Sequence, residues 1–177
     1  MDRRTFAFTG TATLFGLAAT GVAQQIGVPA ATTPQAPPRP PALAADLVKE
    51  FVIAAHGNLE KTKAMLSAEP GLVNATWDWG GGDFEQAIGG AGHMGRKDIA
   101  DFLISQGARM DIFVAAMLGD LDLVKAYLKA QPDQAHARGP HRIPLLAHAQ
   151  MGAKNGVQEA NAVVDFLQSM ASSQKAV

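Results

Sequence analysis

The sequence predicts an all-α stack of about four helix–turn–helix units, and three observations carry that prediction. Four segments align on a glycine, at Gly57, Gly95, Gly119 and Gly152, each preceded by small residues and leading into a run with apolar residues at helical spacing. Apolar residues make up 47% of the chain and charged residues 18%, the balance of a chain that buries a core. Cysteine is absent, so neither disulfides nor thiolate-bound metal hold the fold and packing must do so. Neither helix of such a unit can bury its apolar face alone, so units have to stack on one another.

The first segment reads as an address. Arg3 and Arg4 precede Phe6, the run from Ala7 to Val22 carries no charge, and small residues stand at Gly21 and Ala23. This is the order of a cleavable signal peptide over residues 1–23. The paired arginines resemble a twin-arginine export signal, although Asp2 and Phe8 depart from the usual pattern. Thr9, Gly10, Thr11, Thr13, Gly16 and Thr20 dilute the apolar run, which suits export and argues against a stable membrane span after cleavage. The expected location is the periplasm, with membrane anchoring as the outcome if the signal is not cleaved. Residues 24–45 follow as a tether: prolines at 29, 34, 37, 38, 40 and 41 lack amide donors and exclude regular structure.

The stack is expected over residues 46–170, and residues 171–177 are expected to be a disordered tail. In the first unit Ile53–His56 lead to Gly57 and a second helix through Leu66. In the second, Ala91–Met94 lead to Gly95 and Ile99–Ile104. In the third, Ala115–Leu118 lead to Gly119 and Leu121–Leu128. In the fourth, Ala147–Met151 lead to Gly152, with residues 153–162 read as an inserted loop before Val163–Leu167. Glycine ends the first helix of each unit because it adopts left-handed backbone at no steric cost. Asp83 followed by Gln86 is read as a capping box for the second unit.

"GDLDLVKAYL" at 119–128 and "GRKDIADFLISQGARMD" at 95–111 resemble the ankyrin repeat, whose period is about 33 residues. The resemblance implies a curved solenoid with β-hairpin fingers between units. The short step from Gly95 to Gly119 implies that the third finger is cut to a tight turn at Gly107–Asp111. It also implies protein–protein binding through finger tips and the residues before each glycine. By position those residues are Ala55 and His56, His93 and Met94, Met117 and Leu118, and Gln150 and Met151. Their methionine-rich character suggests an adaptable apolar groove, with packing on neighbouring units as the other reading.

The segment from Asn74 to Asp83 holds both tryptophans, Trp77 and Trp79, and then three consecutive glycines. Alternation places both rings on one side of a strand. Two readings stand side by side: a finger with aromatic anchors, or tryptophans filling space within the stack. The partner-binding set expected from this reading is Trp77, Asp78, Trp79, His93, Met94, Met117, Leu118, Arg138, His141 and Met151. Asp78, Arg138 and His141 are expected to orient a partner.

Several functions are disfavoured. A net charge of −1 leaves no basic surface for nucleic acid. The glycine run lacks the Lys-Ser/Thr of a phosphate loop, and no His-Glu-x-x-His spacing exists. The expectation is therefore a non-enzymatic, monomeric protein-binding module of the bacterial envelope, with no cofactor, catalytic residue or resident metal. One alternative is a metal-dependent or hydrolytic enzyme in which His93, His141 and His148 converge with Asp78, Asp83 or Glu85. Another is a structural accessory that stabilises a periplasmic enzyme.

Overall fold

The structure, a computed structural model, describes residues 39–174, with side chains as far as Ser172. The chain divides between Arg39 and Pro40 into two units, and the fold described is that of the second. The expected signal peptide at 1–23 and most of the expected tether lie outside the described residues. No described helix is long and apolar enough to cross a membrane.

The described residues are mainly α-helical. In chain order they form α1 (Ala45–Ala55), α2 (Leu59–Ala68), β1 (Thr76–Asp78), β2 (Phe84–Gln86), α3 (Ala87–His93), α4 (Lys97–Ser105), α5 (Ile112–Leu118), α6 (Leu121–Ala130), α7 (Leu145–Lys154) and α8 (Ala160–Gln174). Helices pair in sequence order, α1 with α2, α3 with α4, α5 with α6 and α7 with α8. The first helices of the pairs contact one another in a row, α1 with α3, α3 with α5 and α5 with α7.

Local chemistry explains the turns. Gly95 and Gly119 take left-handed backbone (φ 66° and 80°), and the following amides return to Ala91 and Ala115 carbonyls, closing each first helix. The next helices start on side-chain caps: Asn58 accepts from the Lys61 amide, and Asp120 from the Leu123 amide. The first and fourth units depart from the sequence reading: Gly57 follows α1 without left-handed backbone, and the turn of the fourth unit is displaced. Gly152 lies inside α7, and the left-handed turn falls one helical turn later, at Gly156 (φ 92°). Gly152 serves packing instead, since a Cβ there would lie 2.0 Å from the Met117 carbonyl oxygen. Helix α7 thus runs through Lys154, and residues 155–159 alone separate it from α8, a shorter connection than the expected insertion. Helix α8 continues through 171–174, which the sequence assigns to the tail.

Two apolar clusters hold the helices together. Phe51, Leu72, Ile99 and Leu103 anchor the first, and Val124, Leu145 and Val163 the second. Helix α5 feeds both, sending Val114 and Met117 to the first and Ile112, Ala115 and Ala116 to the second. Each fully buried Leu, Ile or Phe contributes about 1.5–3 kcal/mol.

The fingers are unequal. Strands β1 and β2 pair antiparallel with Trp77 opposite Glu85, and Gly80, Gly81 and Gly82, all at positive φ, carry the chain between them. A second finger precedes α7 and is closed by a bridge between Arg138 and Pro144. Between α4 and α5 there is no finger: Gly107 (φ 90°) turns the chain and Asp111 caps α5. With nothing interposed, the two fingers meet. The Asp83 carboxylate accepts from the His141 amide at 2.9 Å. Asp83 is thereby withdrawn from the expected capping box, and α3 begins after Gln86 with no side-chain cap.

Candidate functional site

Where the fingers meet the first helices, three imidazoles surround one carboxylate. Glu85, at the centre of β2, is 1% exposed. His56 at the end of α1 points Nε2 to within 3.5 Å of Glu85 Oε2. His141 on the second finger places Nε2 3.4 Å from the same oxygen. His93, the last residue of α3 and 8% exposed, sets Nδ1 3.1 Å from Glu85 Oε1. One ligand-type atom from each of the four residues lies within 4.8 Å of the others. The rings crowd accordingly, with His56 and His93 centroids 4.8 Å apart and His93 and His141 5.2 Å apart.

Glycines in α3 make room for this. A Cβ on Gly90 would fall 2.7 Å from His56 Nδ1, and one on Gly89 3.5 Å from Glu85 Cγ. Each glycine costs a helix about 1 kcal/mol relative to alanine, so three of them in seven residues of α3 mark a helix shaped for close approach.

The ring nitrogens are individually placed. His56 Nδ1 sits 2.8 Å from the Val52 carbonyl, which can only accept, so that nitrogen carries the proton. His141 Nδ1 lies 3.2 Å from Asp83 Oδ2, close but not aligned as a hydrogen bond. Both Nε2 atoms face Glu85, and for His56 the Val52 oxygen fixes the tautomer as an outer oxygen does for a metal-binding histidine. The Trp79 indole donates to Glu85 Oε2 at 2.7 Å. Glu85 Oε1 and His93 Nδ1 are close, but they are not aligned as a hydrogen bond and neither has another partner among the described residues. Burial pushes the Glu85 carboxyl up. The neighbouring His93, the Trp79 donor and the charge of His56 outweigh it and hold the group below its ordinary value, so it is ionised at neutral pH.

The three histidine–Glu85 distances of 3.1–3.5 Å lie near those between ligands of a bound ion, within a cluster that spans up to 4.8 Å. Bonds of about 2.1 Å in tetrahedral geometry set ligand atoms about 3.4 Å apart. Three imidazoles and a carboxylate form a nitrogen–oxygen donor set matched to borderline dications such as Zn²⁺.

His148 is not part of this set. It is 1% exposed, its ring centroid lies 6.4 Å from that of His93, and its Nδ1 bonds the Pro144 carbonyl at 3.0 Å. Burial is the main cause that holds its imidazole below the ordinary value, against the opposing Pro144 bond, and keeps it neutral. Of the carboxylates considered from sequence, Glu85 and Asp83 reach the histidines, whereas Asp78 is exposed and accepts from the Gly80 amide.

The apolar groove expected from sequence does not form. Met117 is fully buried because α5 is packed between α3 and α7, and Leu118 rests half-buried on the first cluster. Met94 is 43% exposed, while Met151 is half-buried. Extension of α7 by one turn puts Asn155 where a groove residue was expected, and its amide donates to the Met94 carbonyl at 2.9 Å. The tryptophans part company. Trp77 packs half-buried on the first cluster with the Lys49 ammonium 5.4 Å from its ring centroid. Trp79 joins the histidines, with His141 at 5.5 Å. Arg138 is exposed and its guanidinium donates to the Arg142 carbonyl. The sequence places His56 among the residues before a glycine, but not among the metal-ligand candidates or the partner-binding set. The signal that points to it is the glycine run ending in His93, which implies a bulky neighbour pressed on α3.

Comparison with protein-family models, with curated proteins and with solved structures finds no match for this chain.

Proposed function

We propose that this protein is a metal-binding module of the bacterial envelope: an ankyrin-type stack in which His56, Glu85, His93 and His141 hold one transition-metal dication. The observation that carries the reading is the convergence of three imidazole nitrogens on a buried, ionised carboxylate. Protonating all three rings would gather three positive charges around Glu85. Leaving them neutral would aim the His56 Nε2 lone pair at a carboxylate oxygen. A dication between them removes both conflicts. The paired helices, the row of first helices and the meeting fingers support the ankyrin-type description. The twin-arginine-like leader supports export.

Titration of the purified chain with Zn²⁺ or Co²⁺ tests this. One equivalent should bind, and His56→Ala or His141→Ala should weaken binding at least tenfold. No uptake, or uptake that both variants retain, would refute it.

A second reading, docking of a protein partner, is favoured by Phe84. Its ring is 62% exposed on β2, beside a cleft of about 390 Å³ shared with Met110 and Pro140.

A further inference from the structure

A polar cleft of about 370 Å³ lies between the two fingers, lined by Gly80, Gly81, Gly82, Asp83, Arg138, Gly139 and Arg142. Neither arginine has an acidic partner among the described residues, unlike Arg96, which pairs with Asp98. Here the one carboxylate, Asp83, is engaged by His141 through both the backbone amide and Nδ1. The cleft is therefore cationic on one wall.

Its opposite wall is backbone. Gly80, Gly81 and Gly82 have φ of 120°, 65° and 86°, and a Cβ on Gly80 or Gly81 would meet nothing within 4 Å. The glycines are thus required by backbone conformation, and open space lies above them. Gly80 donates its amide to Asp78, while those of Gly81 and Gly82 have no acceptor among the described residues. Successive unengaged amides in a turn form a concavity that favours anions. The loop that brings the arginines is held at a cost: His141 and Arg142, neither of them glycine, both have positive φ (55° and 59°), about 1–2 kcal/mol each. That conformation faces His141 toward Asp83 and Glu85 while Arg138, bonded to the Arg142 carbonyl, closes the loop.

We infer that this cleft binds a small oxyanion, a phosphate or carboxylate group, beside the metal centre, with Arg138, Arg142 and the Gly81 and Gly82 amides as its donors. The placement beside a metal rests on the reading of the histidine cluster; the anion site itself does not. Asp83 belongs to both, lining the cleft and fixing the His141 ring, so an anion seated here lies one residue away from a metal-binding imidazole. Guanidinium groups recognise phosphate and carboxylate oxygens in pairs, and a volume of this size admits a group of a few heavy atoms.

Inorganic phosphate and succinate, titrated separately into metal-free protein, test the site and separate the two sources of the chemistry. At least one should bind, and Arg138→Gln/Arg142→Gln should weaken that binding more than tenfold while circular dichroism shows the variant folded. Arg142→Gln alone serves if the double variant does not fold. Binding of neither probe, or binding that survives the substitutions, overturns the inference. In Co²⁺-loaded protein the phosphorus resonance of bound phosphate should broaden, and bound phosphate that stays sharp would refute the placement beside the metal. Failure of Co²⁺ to bind would sink the metal reading and leave the metal-free titration to decide the cleft.

Discussion

Glu85→Gln separates a metal ligand from a purely structural carboxylate. The side chain is 1% exposed and accepts from Trp79 at 2.7 Å. Glutamine keeps the shape, and its carbonyl can still accept from the indole. Replacing a charged by a neutral hydrogen bond costs about 1 kcal/mol. Removing a buried charge returns its desolvation penalty, but the His93, Trp79 and His56 interactions that outweigh burial are weakened with it. Metal-free protein should therefore lose some stability, less than the about 3–5 kcal/mol of a broken buried ion-pair cluster. The metal response should change far more. Zn²⁺ at 100 times its dissociation constant stabilises the wild type by about 2.7 kcal/mol, or about 9 °C at the 3–4 °C per kcal/mol of a domain this size. Losing the anionic ligand should weaken binding about 100-fold or more. The same Zn²⁺ concentration then stabilises the variant by only about 0.4 kcal/mol, near 1 °C. Differential scanning fluorimetry with and without Zn²⁺ measures both numbers. A wild type whose melting temperature ignores Zn²⁺ and Co²⁺, together with a variant weakened by 3–5 kcal/mol, would refute the metal argument. Glu85 would then be the centre of a structural charge cluster.

Three further outcomes follow from packing and exposure. Gly90→Ala should raise helix propensity in α3 yet displace the His56 ring, which a Cβ would approach to 2.7 Å. Zn²⁺ affinity should fall at least tenfold with a stability change under about 1 kcal/mol, and isothermal titration showing unchanged affinity would remove His56 from the ligand set. Trp77→Ala should cost more than about 2 kcal/mol in urea unfolding because its ring packs on the first cluster, whereas Phe84→Ala should cost under about 0.5 kcal/mol; a near-neutral Trp77→Ala would return Trp77 to the surface-anchor reading.

The sequence by itself determined the helices and most of the turns. Helical spacing of apolar residues and glycines at 95 and 119 act within a few residues, through backbone sterics and one-face burial, so they are legible locally. The capping role of Asn58 and Asp120 is local in the same way. The fourth unit shows where this stops. Gly152 and Gly156 both offer a turn, and only the contact between Gly152 and the Met117 carbonyl assigns the first to packing and the second to the turn.

What tertiary structure alone decided is the site. Met117 looked like a groove residue because exposure of a helical position depends on how many neighbours flank the helix, and α5 has α3 on one side and α7 on the other. His56, Glu85, His93 and His141 come from α1, β2, α3 and the finger before α7. No short-range spacing links them, and they converge because the third finger is missing and Asp83 can reach His141 across the gap. The absence of cysteine, visible at once, ruled out one kind of metal chemistry; the convergence of nitrogen and oxygen donors from four separate elements is a property of the folded chain.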